Sequence, residues 1–498
     1  MTPHTFILST DFPDRKLNKK LKPNYTLATQ TEEPTDGILL DTFDRELQNA
    51  GKVLLEKNNT LLLIDTETGL TTEQAGKASK ICTPAMDDGK VKEILDNAVS
   101  ELRAFLPIAE VAFHRETRLV LDDEGKTVAR LHSFIFKKKK EFAQLVISQP
   151  LRGYGDEYDA LIQAMNQVCV SEGSLYTALG IKVGYCAKPH ISLSGHAPIK
   201  ETARDIITTF IDVARQNEAG IQDDYDTEFL HDYRVSLRKV RSVISLFRGV
   251  YSPEATIRLK EEFASLMQVT GRLRDLDVYL LDKQNYFNLV PKSTHEGLEI
   301  MFKVFEQERR VNHKNICRAL TSKAYNKRIK SLRQSFVKSE WEPGPLADVD
   351  SHSFACSVVL KRYRKVCKIA RSIDEHTDDE VVHELRIHCK KLRYLMEFFT
   401  PLFPRKKIKT LIKSLKLLQD NLGRFNDFSV QQESLSVFLT DNPIKGADGI
   451  KVAESIGALT AMLNLLQQKE RNLIMENFAR FDSLETRTLF DNLFSIEG

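Results

Sequence analysis

His231-Asp-Tyr-Arg234-Val-Ser-Leu-Arg238-Lys239-Val-Arg241 recurs 152 residues later as His383-Glu-Leu-Arg386-Ile-His-Cys-Lys390-Lys391-Leu-Arg393. Gly271-Arg272-Leu-Arg-Asp275 and Gly423-Arg424-Phe-Asn-Asp427 repeat at the same offset. Two matches at one spacing, without net insertion, indicate a duplicated supersecondary unit. At about 100° per residue, the first, fourth, eighth and eleventh positions of each stretch fall within about 80° of arc on a helix. Each copy therefore lines up His, Arg, Arg or Lys, and Arg along one stripe, with Val, Leu and Ile on the other side. Two such stripes facing each other would make a cleft for a polyanion.

Composition leaves that expectation standing. The chain has 498 residues, enough for two or three domains with their own cores. Hydrophobic and charged fractions of 42% and 28% are those of an ordinary globular chain, and no run of 18 apolar residues predicts a membrane span. The N-terminus lacks the charged and apolar regions of a secretory signal, and the seven cysteines are scattered without a Cys-x-x-Cys pair. A cytoplasmic protein with reduced thiols is expected. Net charge is only +3, but the basic residues cluster. Residues 303–338 hold eleven Lys and Arg against two Glu, and 361–371 hold six with no acid.

Residues 1–198 predict an α+β domain built on an antiparallel barrel or sheet. Lys52–Lys57 and Thr60–Asp65 flank Asn58-Asn59, a two-residue hairpin signal. Further strands are expected over 111–121, 127–136 and 141–148, with helices around 90–104 and 157–170. From residue 199 the pattern is helical. About four main helices per copy are expected, in two pseudo-symmetric four-helix bundles at about 200–338 and 352–498. Pro253 and Pro404 punctuate them, and Gly271 and Gly423 are expected to end the third helix of each copy.

The paired motifs His231-x-x-Arg234-x-x-x-Arg238-Lys239-x-Arg241 and His383–Arg393, with the Gly-Arg-x-x-Asp segments, resemble the CHAD family (conserved histidine α-helical domain) over residues 200–498. That resemblance implies a non-catalytic protein that binds inorganic polyphosphate in a basic groove between two bundles, in the cytoplasm and at polyphosphate granules. The implied binding residues are His231, Arg234, Arg238, Lys239, Arg241 and Arg272 of the first copy, and His383, Arg386, Lys390, Lys391, Arg393 and Arg424 of the second. Lys303, Arg310 and Lys314 on one helix, and Lys361, Arg364, Lys365 and Lys368 on another, are candidate walls. No cofactor or metal is expected. Asp275 and Asp427 are expected to pair with local Arg, and His388, which has Ser236 as its counterpart, is expected to be peripheral.

In the N-terminal part, Leu40-Asp41-Thr42-Phe-Asp44-Arg-Glu-Leu47-Gln-Asn-Ala50-Gly51 resembles a stretch of CYTH-type triphosphate tunnel domains. Active members of that family use a first-strand Glu-x-Glu-x-Lys to hold divalent metal. Here the first strand candidate, Thr5–Thr10, carries no carboxylate and no lysine, which predicts a degenerate, inactive domain. Arg115, Arg118 and Arg130 could line a residual anion tunnel. Two alternatives stay open: a CYTH-type triphosphate hydrolase, and a nucleic-acid-binding protein. Single-strand binders add stacking aromatics to basic tracks, and the chain has one Trp.

Overall fold

The computed structural model describes residues 2–21, 23–182, 184–374 and 376–495. Two compact units emerge: Met1–Ala187 with Asp224–Glu228, and Lys188–Asp223 with Phe229–Gly498.

The first unit runs β1 (Thr5–Leu8), α1 (Asp14–Leu21), β2 (Thr26–Thr31), β3 (Thr35–Asp41), α2 (Glu46–Asn49), β4 (Lys52–Lys57), β5 (Thr60–Asp65), β6 (Thr71–Ala75), α3 (Lys90–Ala98), β7 (Leu106–Leu121), β8 (Thr127–Lys138), β9 (Glu141–Pro150), α4 (Gly155–Val168) and α5 (Leu175–Ala178). The nine strands form one antiparallel sheet in the order β1-β9-β8-β7-β3-β4-β5-β6, with β2 also on β7. The long β7 pairs with β3 through its first half and with β2 through its second. Asn58 and Asn59 take φ of 46° and 58°, the left-handed pair that a tight β4–β5 hairpin requires. Alternation along the strands feeds cores on both faces. Leu145 and Ile147 pack with Phe113, Phe136 and the α5 residues Leu175 and Tyr176. Val146, between them, packs with Leu131 and the α4 residues Tyr158, Leu161 and Met165.

The second unit is all helical: α6 (Ile199–Gln216), α7 (Glu218–Asp223), α8 (Glu228–Leu246), α9 (Pro253–Gln268), α10 (Gly271–Leu281), α11 (Lys283–Leu289), α12 (His295–Thr321), α13 (Lys323–Val337), α14 (Ser351–Ala370), α15 (Asp379–Phe399), α16 (Arg405–Asp441), α17 (Gly446–Asn472), α18 (Ile474–Phe481) and α19 (Leu484–Phe494). Shifted by 152, α6 falls on α14, α8 on α15, α9 and α10 on α16, and α12 on α17. The copies are related by a pseudo-two-fold axis, because equivalent residues meet reciprocally. Ile199 N donates to Val349 O while Ser351 N donates to Ala197 O, and Lys200 N to Ala347 O while His352 N to Gly195 O. Each pair is the other displaced by one repeat, which is the signature of an isologous contact.

The two bundles share one core. Phe302 and Phe305 of α12 cluster with Phe438 of α16 and with Val452, Ile456, Leu459 and Leu463 of α17. The crossing of α12 and α17 is close enough that a Cβ on Gly297 would sit 2.2 Å from Lys451 O, so glycine is required there. By length and hydropathy the stretch Gly446–Phe481, although it is not an uninterrupted apolar run, would also suffice to cross a membrane. In this fold Val452, Ile456, Leu459 and Leu463 of that stretch join the shared core, while Ile450, Leu465, Leu473 and Met475 are exposed. Gly423 does not end a helix: α16 passes through it without a break. A glycine costs only about 1 kcal/mol against Ala in a helix interior. Leu415, Leu418, Leu422 and Phe425, all buried around it, outweigh that.

Candidate functional site: a cationic cluster across the pseudo-two-fold axis

The helix α8 is oriented by its apolar side. Phe229, Leu230, Tyr233, Leu237, Val240, Val243 and Ile244 are buried, each large side chain contributing about 1.5–3 kcal/mol. Tyr233 is further held by a buried chain in which its hydroxyl lies 3.0 Å from that of Tyr325, which donates to Glu218 at 2.7 Å. On α15 the matching residues are Val382, Leu385, Cys389, Leu392, Leu395, Met396 and Phe399. This leaves His231, Arg234, Arg238 and Arg241, and Arg386, Lys390 and Arg393, half-buried on the remaining face of each helix, with His383 exposed at the start of α15.

Lys390 brings the copies together. Its ammonium feels burial first, then Arg386, Arg238 and Arg393, and is pulled down to about 8. Arg238 is its own counterpart one repeat earlier, so the two equivalent cations face each other. Arg234 is likewise lowered, by burial and then by Arg238. Keeping Lys390 charged here costs roughly 2–3 kcal/mol after discounting for solvent screening. The carboxylates present stand at the edge. Arg386 Nη2 lies 3.7 Å from Asp427 Oδ1. Asp275, its counterpart, is raised by burial against the opposing pull of Arg234, Arg272 and Arg274. Arg238 Nε is buried without a hydrogen-bond partner.

Around this centre other groups are fixed rather than offered. Arg234 Nη1 donates to Thr270 Oγ1 at 2.7 Å and to Met267 O at 3.2 Å, anchoring α8 to the α9–α10 turn. Arg241 Nη1 lies 3.7 Å from Met267 Sδ. Arg393 Nε lies 3.3 Å from Glu397 Oε1. His383 Nδ1 donates to Asn426 Oδ1 at 2.7 Å, tying α15 to α16.

Several predicted site residues lie elsewhere. Lys239 is buried, its ammonium 4.3 Å from the centre of the Phe210 ring. One position beyond Arg238, it is rotated by about 100° off the stripe. Lys391 is rotated likewise. Arg272 forks onto Glu308 at 2.6 and 2.5 Å, and Arg424 Nε donates to Glu470 at 2.7 Å. Lys303, Arg310 and Lys314 are exposed along α12, and Lys361, Arg364, Lys365 and Lys368 along α14. Of these, Lys365 is paired with Glu384 at 3.2 Å.

Arg248 and Arg362 were not singled out in the sequence, and His388 was set aside. Arg362 Nη1 donates to His388 Nδ1 at 2.7 Å. Lys391 is lowered by burial, then by Arg362 and Arg248. The available signal was the run of six basic residues at 361–371.

Arg115 and Arg118 do not line an open anion tunnel. Arg118 is buried, with Asp14 at 2.7 Å, Glu116 at 2.7 Å and Ser133 at 3.0 Å, and Arg115 is paired with Glu73 and Glu32. The Asp41-Thr42 motif is structural here: Asp41 accepts from the backbone N–H groups of Thr42, Leu47 and Gln48 and from the Tyr176 hydroxyl. Among the described residues no three His, Cys, Asp or Glu are grouped to hold a metal ion.

The similarities to known proteins fall in the helical unit. The CHAD domain family model matches residues 205–436. The crystal structure of the CHAD domain from the plant Ricinus communis is similar at a TM-score of 0.50 and 23% identity, over 60% of this chain and 96% of that one. PptA from Streptomyces chartreusis is similar at a TM-score of 0.45 and 13% identity, over 57% and 99%. No curated protein sequence matches.

Proposed function

We propose that this chain, whose residues 205–436 form a CHAD domain, a family associated with polyphosphate binding, binds inorganic polyphosphate without acting on it chemically. The observation that carries this reading is the meeting of Arg238 and Lys390 across the pseudo-two-fold axis, flanked by Arg234, Arg386 and Arg393, with Asp275 and Asp427 at its edge and Glu397 on Arg393. Cations packed so closely are destabilised by one another, and a polyanion relieves them. Polyphosphate carries about one negative charge per unit and no bases, so it asks for Lys and Arg donors and for no stacking surface. The aromatics near the stripe agree. Tyr233 is buried on Tyr325, and Tyr394 is stacked on Phe398.

The exposed basic faces of α12 and α14 extend the groove in this proposal, and association with cytoplasmic polyphosphate granules follows from it. We read the N-terminal sheet domain as a degenerate triphosphate-tunnel relative. In support, β1 carries no acid, and Gln144, Val146 and Ser148 of β9 are buried, with Ser148 Oγ 2.6 Å from the Tyr158 hydroxyl.

The test is displacement of the full chain from immobilised polyphosphate. Long polyphosphate is expected to compete far better than triphosphate, or than RNA or DNA of equal charge. Stronger competition by nucleic acid would overturn the reading. Metal-dependent phosphate release from triphosphate would reinstate the hydrolase.

A further inference from the structure

The duplication allows each position of one copy to be compared with its counterpart, and one neighbourhood has diverged in kind. In the first copy, Lys239 sits against Phe210, and Ser236 lies one turn earlier on the same helix. The counterparts one repeat later are Lys391, Arg362 and His388. An aromatic ring has become a guanidinium and a hydroxyl has become an imidazole. Arg248, two residues past the end of α8, adds a further positive charge. We propose that Arg248, Arg362, His388 and Lys391 form a second anion site, distinct from the axial cluster, that takes a compact phosphoryl group.

The geometry gives the reason. Arg362 donates to His388 Nδ1, so that nitrogen is an acceptor and the imidazole is neutral. Burial, Arg362, Lys391 and Lys365 together pull His388 down to about 4 against the opposing charge of Glu384. Glu384 is the one acid in the group. It is held by Lys365 at 3.2 Å and lies 3.6 Å from His388 Nε2. Three cations thus surround a ring that their charge keeps unprotonated, and a phosphoryl group would turn repulsion into charge-assisted hydrogen bonds from Arg362 and Lys391. A duplicated scaffold has no need of this, since the first copy folds the same helices over Phe210.

The phosphoryl group has two sources, free orthophosphate or the end of a polyphosphate chain. The inference does not rest on the groove reading, and the test separates them. Orthophosphate and tripolyphosphate are titrated by calorimetry into the full chain, into Arg362→Phe with His388→Ser, which restores the residues of the first copy, and into Arg238→Ala with Lys390→Ala. Both ligands are expected to lose at least about tenfold in affinity for the restored variant while orthophosphate affinity is kept in the axial one. Binding of tripolyphosphate but not orthophosphate at this site would assign it to chain ends. Unchanged affinity in the restored variant, or equal loss in both variants, overturns the proposal. A readout independent of folding is the His388 ring signal by NMR. Orthophosphate should raise its titration above about 4, and an unmoved midpoint at saturating phosphate overturns the site.

Discussion

The arginines of β7 and those around Lys390 have opposite surroundings. In the sheet domain Arg118 is surrounded by Asp14, Glu116 and Ser133, and Arg115 by Glu73 and Glu32, so both guanidinium groups have counter-ions at hand. In the helical domain Arg238 and Lys390 meet each other, and the acids stand behind them. Number of basic residues does not separate these regions. Neutralisation does: a satisfied arginine holds a fold together, and an unsatisfied one holds a place for an anion.

The contrast can be broken most directly at the axis. Replacing Arg234, Arg238, Arg386 and Lys390 together with Ala should weaken polyphosphate binding by about a thousandfold or more, measured at fixed salt. Retained affinity would remove the axial assignment. Arg118→Ala should do the reverse. It should lower stability by roughly 2–3 kcal/mol in denaturant melts, because Glu116 and Asp14 lose their partner, while leaving polyphosphate affinity unchanged.

A third measurement uses pH. Burial and the neighbouring guanidinium groups pull the Lys390 ammonium down to about 8, and a bound anion would raise it. Below pH 8 it is charged and affinity is full; as pH rises through 8 the free protein loses the proton, and affinity should fall by about tenfold by the point where the complex also deprotonates. Lys390→Arg should flatten the profile, and a wild-type profile already flat from pH 7 to 10 would contradict the placement of Lys390. The smallest effect is expected on α12, where Lys303, Arg310 and Lys314 are exposed. Their joint replacement by Gln should cost about threefold to tenfold and make the salt dependence shallower, through lost counterion release alone.

The fixed offset of 152 made the helical architecture legible, since a duplicated motif carries its helices with it. The predicted break at Pro253, where α9 begins, agrees with the structure because Pro acts locally. What the motif could not carry was partnership. Glu308 and Glu470, which occupy Arg272 and Arg424, lie 36 and 46 residues away in sequence. Lys239 looked equivalent to Arg238 until one step of helix rotation buried it on Phe210. Gly423 read as a terminator because glycine is a local signal, whereas the packing around it is not. Arg362 and His388 were passed over for a different reason: searching for what the copies share discards what distinguishes them.

The reciprocal backbone bonds at Ile199–Val349 and Ser351–Ala197 carry a consequence for the shape of the guest. A groove centred on a two-fold axis offers the same face in both directions along its length. A nucleic acid strand has a direction, so its two orientations in such a groove would differ. A polyphosphate chain is identical read from either end. In the proposed groove it would meet equivalent positions from either end, Arg234 answered by Arg386 and Arg238 by Lys390.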